Sequence, residues 1–313
     1  MILKGTIIKR NKPSLSPNVL PLHLMIIPAL VLVIIYNYIP ILGNIIAFQK
    51  FDILKGVNGI LGGNEWVGLK HFSTVFKMDG FSRALFNTVN ISFWKMATMF
   101  VVPLLVSLLL NEMRQEYLKK SIQTLIYLPH FLSWVILAGI LKQILSTDGL
   151  INNAILIPLN MEPMFFLGDK NLFPFIVIIT NIWKEFGWST IIYLAAITSI
   201  DPSLYEAAIM DGANKLKQSW HVTLPGMKPI IVLSLVLSLG SVLNAGFEQI
   251  FNLYSVQVYD TGDILDTLVY RMSFANAQYD LATAVGLFKN TVSFVFITAS
   301  YWLAYRFANY EIF

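Results

Sequence analysis

The sequence predicts an all-α membrane protein of about six transmembrane helices, and three features predict it. The 313-residue chain is 56% hydrophobic and only 13% charged, roughly half the charged share of an ordinary soluble domain. Its mean hydropathy is +0.65. Apolar stretches recur along the chain at roughly the 20 residues a helix needs to cross a hydrocarbon core. Cysteine is absent, so neither disulfides nor thiolate metal sites contribute. The net charge of +4 is too small to suggest a nucleic-acid partner. The placement of Lys and Arg matters more, because it orients a membrane protein.

The six stretches lie at about 22–47, 86–110, 121–145, 172–198, 229–250 and 281–307. Lys4, Lys9, Arg10 and Lys12 precede the first, as at the start of a signal peptide. Its apolar run is too long for an h-region, however, and no small-residue cleavage pattern follows. It reads as a retained span with a cytoplasmic start, and six spans bring the C-terminus back to the cytoplasm. Segments then placed inside, which hold Arg114, Lys119, Lys120, Lys215, Lys217 and Lys228, carry more Lys and Arg than those outside. The outer segment 49–84, with Lys50, Lys55, Lys70, Lys77 and Arg83, weakens that bias. The expectation is one transmembrane domain over residues 1–313 in the plasma membrane, a multi-pass protein with both termini cytoplasmic.

Three outer loops are expected, at about 49–84, 146–171 and 251–280. Gly and Asn crowd residues 49–68, which suits an exposed loop. Leu69, Phe72, Val75 and Phe76 then recur at helical spacing, so 69–83 is expected to lie along the outer interface. Asp148-Gly149 and Pro158 punctuate the second loop, and Asp260, Asp263, Asp266 and Asp280 make the third acidic.

The inner loop between spans 4 and 5, about 201–228, has the clearest local chemistry. Asp201 is a good N-cap, Pro202 fits the first helical position, and Gly212 suits a left-handed C-terminal cap. These predict a short helix over 202–211. Asn214 caps a second short helix that Leu224-Pro225 ends. Leu204, Ala207, Ala208 and Asp211 share one face of the first helix, and two alanines there let another protein approach closely. On these grounds alone, either a plug for a socket or an ordinary capped surface helix fits.

The same loop resembles a known family. Glu206-Ala207-Ala208, then Gly212 after three residues, then Val222, Leu224 and Pro225 after nine more, is similar to the loop signature of binding-protein-dependent ABC import permeases. Val222 stands where isoleucine is commoner. Asn111-Glu112, Gln123-Thr124, Tyr127 to Trp134, Leu265 to Arg271 and Thr283 to Phe288 look like the polysaccharide-type branch found in Gram-positive bacteria. The resemblance implies a type I ABC importer permease, with 202–211 as the coupling helix that docks on an ATPase. Glu206, Ala207, Ala208, Asp211, Gly212, Leu224 and Pro225 would carry the coupling, Glu206 facing a basic residue of the ATPase. It also implies a second, different permease subunit, two copies of a cytoplasmic ABC ATPase, an extracellular sugar-binding lipoprotein and oligosaccharide cargo.

Other motifs carry less. A phosphate-binding loop ends in Gly-Lys-Ser/Thr, and the chain has no Gly-Lys dipeptide. It is therefore expected to bind no cofactor and catalyse nothing, with ATP and Mg used by the partner ATPase. Ser92-Phe-Trp-Lys95 matches the Ser-x-x-Lys pattern of some acylating enzymes, a spacing that chance produces easily. No metal-binding pattern is present.

Ionisable groups within spans cost about 2.5–3.5 kcal/mol each at mid-bilayer on insertion scales. Asn181, Lys184, Glu185 and Trp188 fall on one stripe of span 4. Ser234, Ser238, Ser241, Asn244 and Glu248 form one seam of span 5. Two polar stripes suggest a water-filled substrate path, for which Lys184, Glu185, Asn244 and Glu248 argue. The serines fit helix–helix glue better. Trp134, Trp183 and Trp188 suit either sugar stacking or a membrane interface. Pro129 and His130 fit a kink in span 3. The functional expectation is an oligosaccharide importer permease working by alternating access. The alternatives are the same machine for a peptide, amino acid or other small solute, or a self-sufficient secondary transporter, which would need inverted repeats.

Overall fold

The computed structural model describes residues 20–308; the Lys4, Lys9, Arg10 and Lys12 cluster lies outside them. The described chain is almost wholly helical, with one two-stranded hairpin. Among the described residues, three helices are long and apolar enough to cross a membrane, or up to five if each bent pair counts as one span.

The first span runs from Pro21 to Phe48. It opens as α1 (Leu20–Val33), widens into a π turn at Ile34–Tyr38 and tightens to a 3-10 helix over Leu42–Phe48. Residues 21–42 are all exposed, and none of its most apolar window is buried inside the chain. So apolar a surface is stable only against hydrocarbon or another protein. Its end joins the body, where Ala47 and Phe48 pack in a cluster with Val75, Phe81, Leu265, Met272 and Val285.

Residues 49–84 are more structured than an irregular loop. Gln49–Lys50 pairs antiparallel with Glu65–Trp66, and the buried Gln49 side chain donates to the Ile60 carbonyl. The expected surface helix over 69–83 divides. Lys70–Phe76 forms α2, and Asp79 already begins α3 (Asp79–Glu112). The second span is thus longer than the expected 86–110. The extra turns at its start are held down by Phe81 and Ala84, both buried.

Span 3 is the first substantial departure. In place of one helix over 121–145 there are α4 (Glu116–Tyr127) and α5 (Trp134–Ile144), set 99° apart across a 3-10 turn at Leu128–Phe131. Pro129 lacks an N–H to continue the helix, and Ser133 caps α5 by accepting from Ile136 N. The kink expected at Pro129-His130 is a full break. Span 4 is α6 (Leu172–Thr198), with the ends the sequence implies. It packs most extensively against α3.

The inner helix is α7 (Pro202–Met210), one residue shorter than expected, with Asp211 as its C-cap. Leu224-Pro225 does not end the second inner helix. Lys215–Gly226 stays helical and meets α8 (Lys228–Gly240) at a 62° bend. Span 5 is the second departure: α8 ends at Gly240, and α9 (Phe247–Leu253) starts only after Gly246, whose φ is +90°. The expected seam from Ser234 to Glu248 is therefore split across two elements. Beyond α10 (Leu265–Tyr270), α11 (Tyr279–Ala308) forms the last long helix, against α8, α10 and residues 42–48.

Backbone contact fixes α4 on α6. A Cβ added at Gly187 would lie 2.0 Å from the Ile126 carbonyl oxygen, whereas one at Gly139 meets nothing within 4 Å. Backbone cannot rotate away as a flexible side chain can. Gly187→Ala is therefore expected to lower the thermal unfolding midpoint in detergent by several degrees, and Gly139→Ala to leave it within about one degree. Tryptophan fluorescence during heating measures both; equal midpoints would mean α4 is free to shift.

Candidate functional site

A cavity of ≈ 300 Å³ opens among α3, α6 and the broken span 5. Ser92 and Lys95 line it from α3, Asn181 from α6, Ser238 from α8, and Ser241 and Asn244 from the break. The break exists because residues 241–246 leave the helical path and Gly246 takes a positive φ. That conformation favours glycine, and a Cβ there would sit 3.0 Å from Lys95 Nζ. The freed Ala245 carbonyl accepts from Lys95 Nζ at 2.7 Å, and Gln249 Oε1 accepts from the same amine at 2.5 Å. Gln249 in turn donates to the Val177 carbonyl and to Thr180 Oγ1, both at 2.8 Å. A chain of buried hydrogen bonds thus runs from α3 through α9 to α6.

A second cluster secures the break in span 3. Lys184 on α6 donates to the His130 carbonyl at 2.8 Å and lies 3.0 Å from Glu185 Oε1. Glu185 Oε2 accepts from His130 Nδ1 at 2.7 Å. The His130 ring stacks on Trp188 at 4.7 Å and 5°, and Lys184 Nζ sits 5.6 Å from the centre of the Trp134 ring.

These geometries divide the residues expected along the substrate path. Asn181 and Asn244 line the cavity. Lys184, Glu185, Trp188 and Trp134 are engaged with one another and with the span-3 break, so Lys184 offers the cavity no free charge. Glu248 is exposed on α9, off the cavity wall. Lys95 and Gln249 are not among the expected residues. A signal for Lys95 is nevertheless present in the sequence, because a lysine well inside a span is as conspicuous as Lys184. The Ser-x-x-Lys pattern around it draws attention to the wrong chemistry.

The inner helix α7 is bounded as its sequence dictates. Asp201 Oδ1 accepts from Ser203 N at 2.9 Å, and this bond holds the Asp201 carboxyl below the usual carboxylate range. At the other end Gly212 has φ +77°. Gly212 N donates to Ile209 O, and Ala213 N to Ala208 O, each at 2.9 Å. This is the paired Schellman closure. The expected shared face is divided: Ala208 is half-buried with Tyr205, while Leu204, Glu206, Ala207 and Asp211 are exposed. Tyr205 anchors the helix, its hydroxyl 3.0 Å from Thr223 Oγ1, within a cluster of Tyr193, Ile197, Ile200 and Met227.

Residues 251–280, expected to be an acidic loop, form short helices whose aspartates are all paired. Asp260 meets Arg83 at 2.8 Å and Lys170 at 2.5 Å. Asp263 takes both arms of Arg271, and Asp266 binds Lys289. Asp280 lies 3.5 Å from His71.

The profile of the family "Binding-protein-dependent transport system inner membrane component" matches residues 99–308. This chain belongs to that family. The permease is 42% identical over 292 residues to the polygalacturonan/rhamnogalacturonan transport system permease protein YteP of Bacillus subtilis (strain 168), covering 93% of this chain and 90% of that one. It is 38% identical to protein LplB of the same organism over the same length, 93% of this chain and 91% of that one. A crystal structure of a bacterial ABC transporter that imports the acidic polysaccharide alginate superposes with a TM-score of 0.85. Identity there is 36%, over 93% of this chain and 96% of that one. The fold of the permease is accordingly that of a type I ABC importer subunit, and it is a multi-pass membrane protein.

The Asp260 pairs make one pH-dependent contribution to stability. The hydrogen bond and charge of Lys170, with Arg83 adding, hold the Asp260 carboxyl below its usual range. A lowered folded-state pKa stabilises the fold above the unfolded carboxylate value of about 4 and is lost as pH falls through the lowered value. In detergent, wild type is expected to melt above Asp260→Asn at pH 7, with the gap closing below about pH 4 and shrinking in high salt. A gap that persists unchanged in acid would show that the pairs contribute nothing through charge.

Proposed function

We propose that this chain is the permease subunit of an ATP-driven importer of complex oligosaccharides. One observation carries the coupling part of that reading: α7 stands out from the bundle, capped at both ends and exposed except at Tyr205 and Ala208. A short helix with fixed ends moves as a unit, where a flexible loop would absorb a push. In this reading Glu206, Ala207, Asp211 and Gly212 present the docking surface to the ATPase, and Leu224 and Pro225 shape the segment that returns to α8. ATP and Mg act on two copies of that separate ATPase. A second, different permease completes the path, and an extracellular binding protein delivers the cargo. Both termini then lie on the cytoplasmic side with α7.

The cargo class is supported by the relatives' names and by the cavity. Related permeases are named for arabinooligosaccharides and for polygalacturonan/rhamnogalacturonan, and one similar structure holds an alginate pentasaccharide-bound periplasmic protein. Oligosaccharides expose hydroxyls that need hydrogen-bonding partners away from bulk water. Asn181, Ser238, Ser241 and Asn244 supply such groups around one space. Alternating access would expose this space to each side in turn.

The test separates docking from folding. Gly212→Val places a β-branched residue at φ +77°, at about 1–2 kcal/mol of strain, although no atom lies within 4 Å of the new Cβ. Glu206→Lys reverses one exposed charge. Both variants are expected to reach the membrane and assemble, yet to lose most stimulated ATP hydrolysis and oligosaccharide uptake in reconstituted vesicles. Gly212→Asn, which tolerates the left-handed region, should retain a substantial part. Wild-type uptake in both damaging variants would remove the coupling role.

A further inference from the structure

The cavity contains a feature that its polar neighbours do not explain. Among the described residues Lys95 is the one ionisable side chain in its wall, which holds no carboxylate. The residue is only 7% exposed. Among the described residues no acidic group lies within 4 Å of its amine. Glu185, one turn along α6 from Asn181, is taken by Lys184 and His130. An ammonium has three donors, and Lys95 uses two, on neutral oxygens, Ala245 O and Gln249 Oε1. Held by neutral oxygens alone, the amine keeps one donor for a further partner.

A second observation lies one turn earlier on the same face of α3. Ser92 is 4% exposed and lines the same cavity. Its Oγ is buried and has no hydrogen-bond partner among the described residues. Serines in helices ordinarily bond a carbonyl of the preceding turn, as Thr88 does to Ala84 O at 2.6 Å. A buried hydroxyl without a partner calls for an explanation, and a hydrogen-bonding group of the cargo in this cavity supplies one. The Ser92-x-x-Lys95 spacing places these two groups one helical turn apart on the same cavity wall.

We infer that Ser92 and Lys95 form a carboxylate-binding subsite in the translocation cavity, so that the permease favours uronate-containing over neutral oligosaccharides. The inference rests on the proposed carbohydrate cargo and adds the charge of that cargo. One carboxylate oxygen would accept from the free donor of Lys95 and the other from the Ser92 hydroxyl. Asn181 and Asn244 remain for the sugar hydroxyls. Lys184, although also a buried lysine, has Glu185 beside it and contributes no such preference.

The test uses the assembled importer in proteoliposomes with its own binding protein, the same in every arm. Labelled short galacturonate and mannuronate oligomers are compared with the same oligomers after reduction of their carboxyl groups. The readout is the ratio of acidic to reduced uptake, so a general loss of rate does not count. Wild type is expected to favour the acidic set, Lys95→Met to lower the ratio at least tenfold, and Ser92→Ala to lower it severalfold. Lys95→Arg keeps the charge and should hold the ratio well above that of Lys95→Met. An unchanged ratio in Lys95→Met overturns the inference. So does an equal fall in Lys95→Met and Lys95→Arg, which would mark the lysine as a brace for the break. If Lys95→Met fails to assemble, Ser92→Ala decides, and an unmoved ratio there overturns the subsite. Uptake of the reduced oligomers alone overturns this inference and leaves the carbohydrate cargo standing. Uptake of neither set overturns both.

Discussion

Two buried lysines hold this structure together at the places where its helices fail. In hydrocarbon a backbone carbonyl released from a helix has no water to turn to, and irregular backbone survives only where protein groups satisfy it. Span 3 breaks at Leu128–Phe131, and Lys184 of α6 donates to the His130 carbonyl. Span 5 breaks at 241–246, and Lys95 of α3 donates to the Ala245 carbonyl. In each case an unbroken helix supplies the cation and a broken one the acceptor. Hydrogen bonds to charged groups contribute about 1.5–3 kcal/mol, enough to fix a bend that packing alone would leave loose. Packing alone is weak here, because lipid tails are as apolar as the helices they surround.

The two lysines differ in what they leave over. Lys184 is neutralised by Glu185 and enclosed by His130, Trp188 and Trp134, so that cluster is closed and its function is to join α6 to α4 and α5. Gly187, pressed against the Ile126 carbonyl one turn further on, belongs to the same joint. Lys95 has only neutral oxygens for partners, and the break it braces opens into a space lined by Ser238, Ser241 and Asn244. The same physical device therefore yields a structural joint in one place and a polar cavity in the other. The neighbouring carboxylate makes the difference.

Much of this is legible in the residues, and the remainder is hidden for a physical reason. The limits of α6 and α7 follow from composition and from local chemistry: Asp201, Pro202 and Gly212 act within a few residues of themselves, so no distant partner is needed to read them. The breaks are not legible in the same way. Apolar composition reports that a segment lies in hydrocarbon but is silent on whether it is straight. Gly240 and Gly246 flank the break in span 5, yet glycine is common inside membrane helices and does not by itself mark a break. The allocation of Lys184 to a joint and Lys95 to the cavity depends on contacts between residues 54 and 150 positions apart. No periodicity along one helix encodes that. The aspartates of 251–280 are legible as charge, but their pairing with Arg83, Lys170 and Lys289 is again a matter of tertiary position.

The position of α7 connects the two halves of the structure. Tyr205 enters a cluster with Tyr193, Ala196, Ile197 and Ile200 from the end of α6 and its exit, and with Met227 at the entry to α8. The close approach is tight: a Cβ at Gly226 would meet Ile200 at 2.7 Å. Close-packed interiors transmit displacement instead of absorbing it, so a movement of α7 bears on both helices together. Those helices carry Asn181 on one side and Ser238 on the other, facing the same cavity. They differ in what opposes them. The end of α6 continues into an unbroken helix braced against α3, whereas α8 is bounded by a 62° bend at one end and the Gly246 break at the other. The wall bearing Ser238, Ser241 and Asn244 is thus set between that bend and the Gly246 break, and Lys95 ties its far end to α3 through the Ala245 carbonyl.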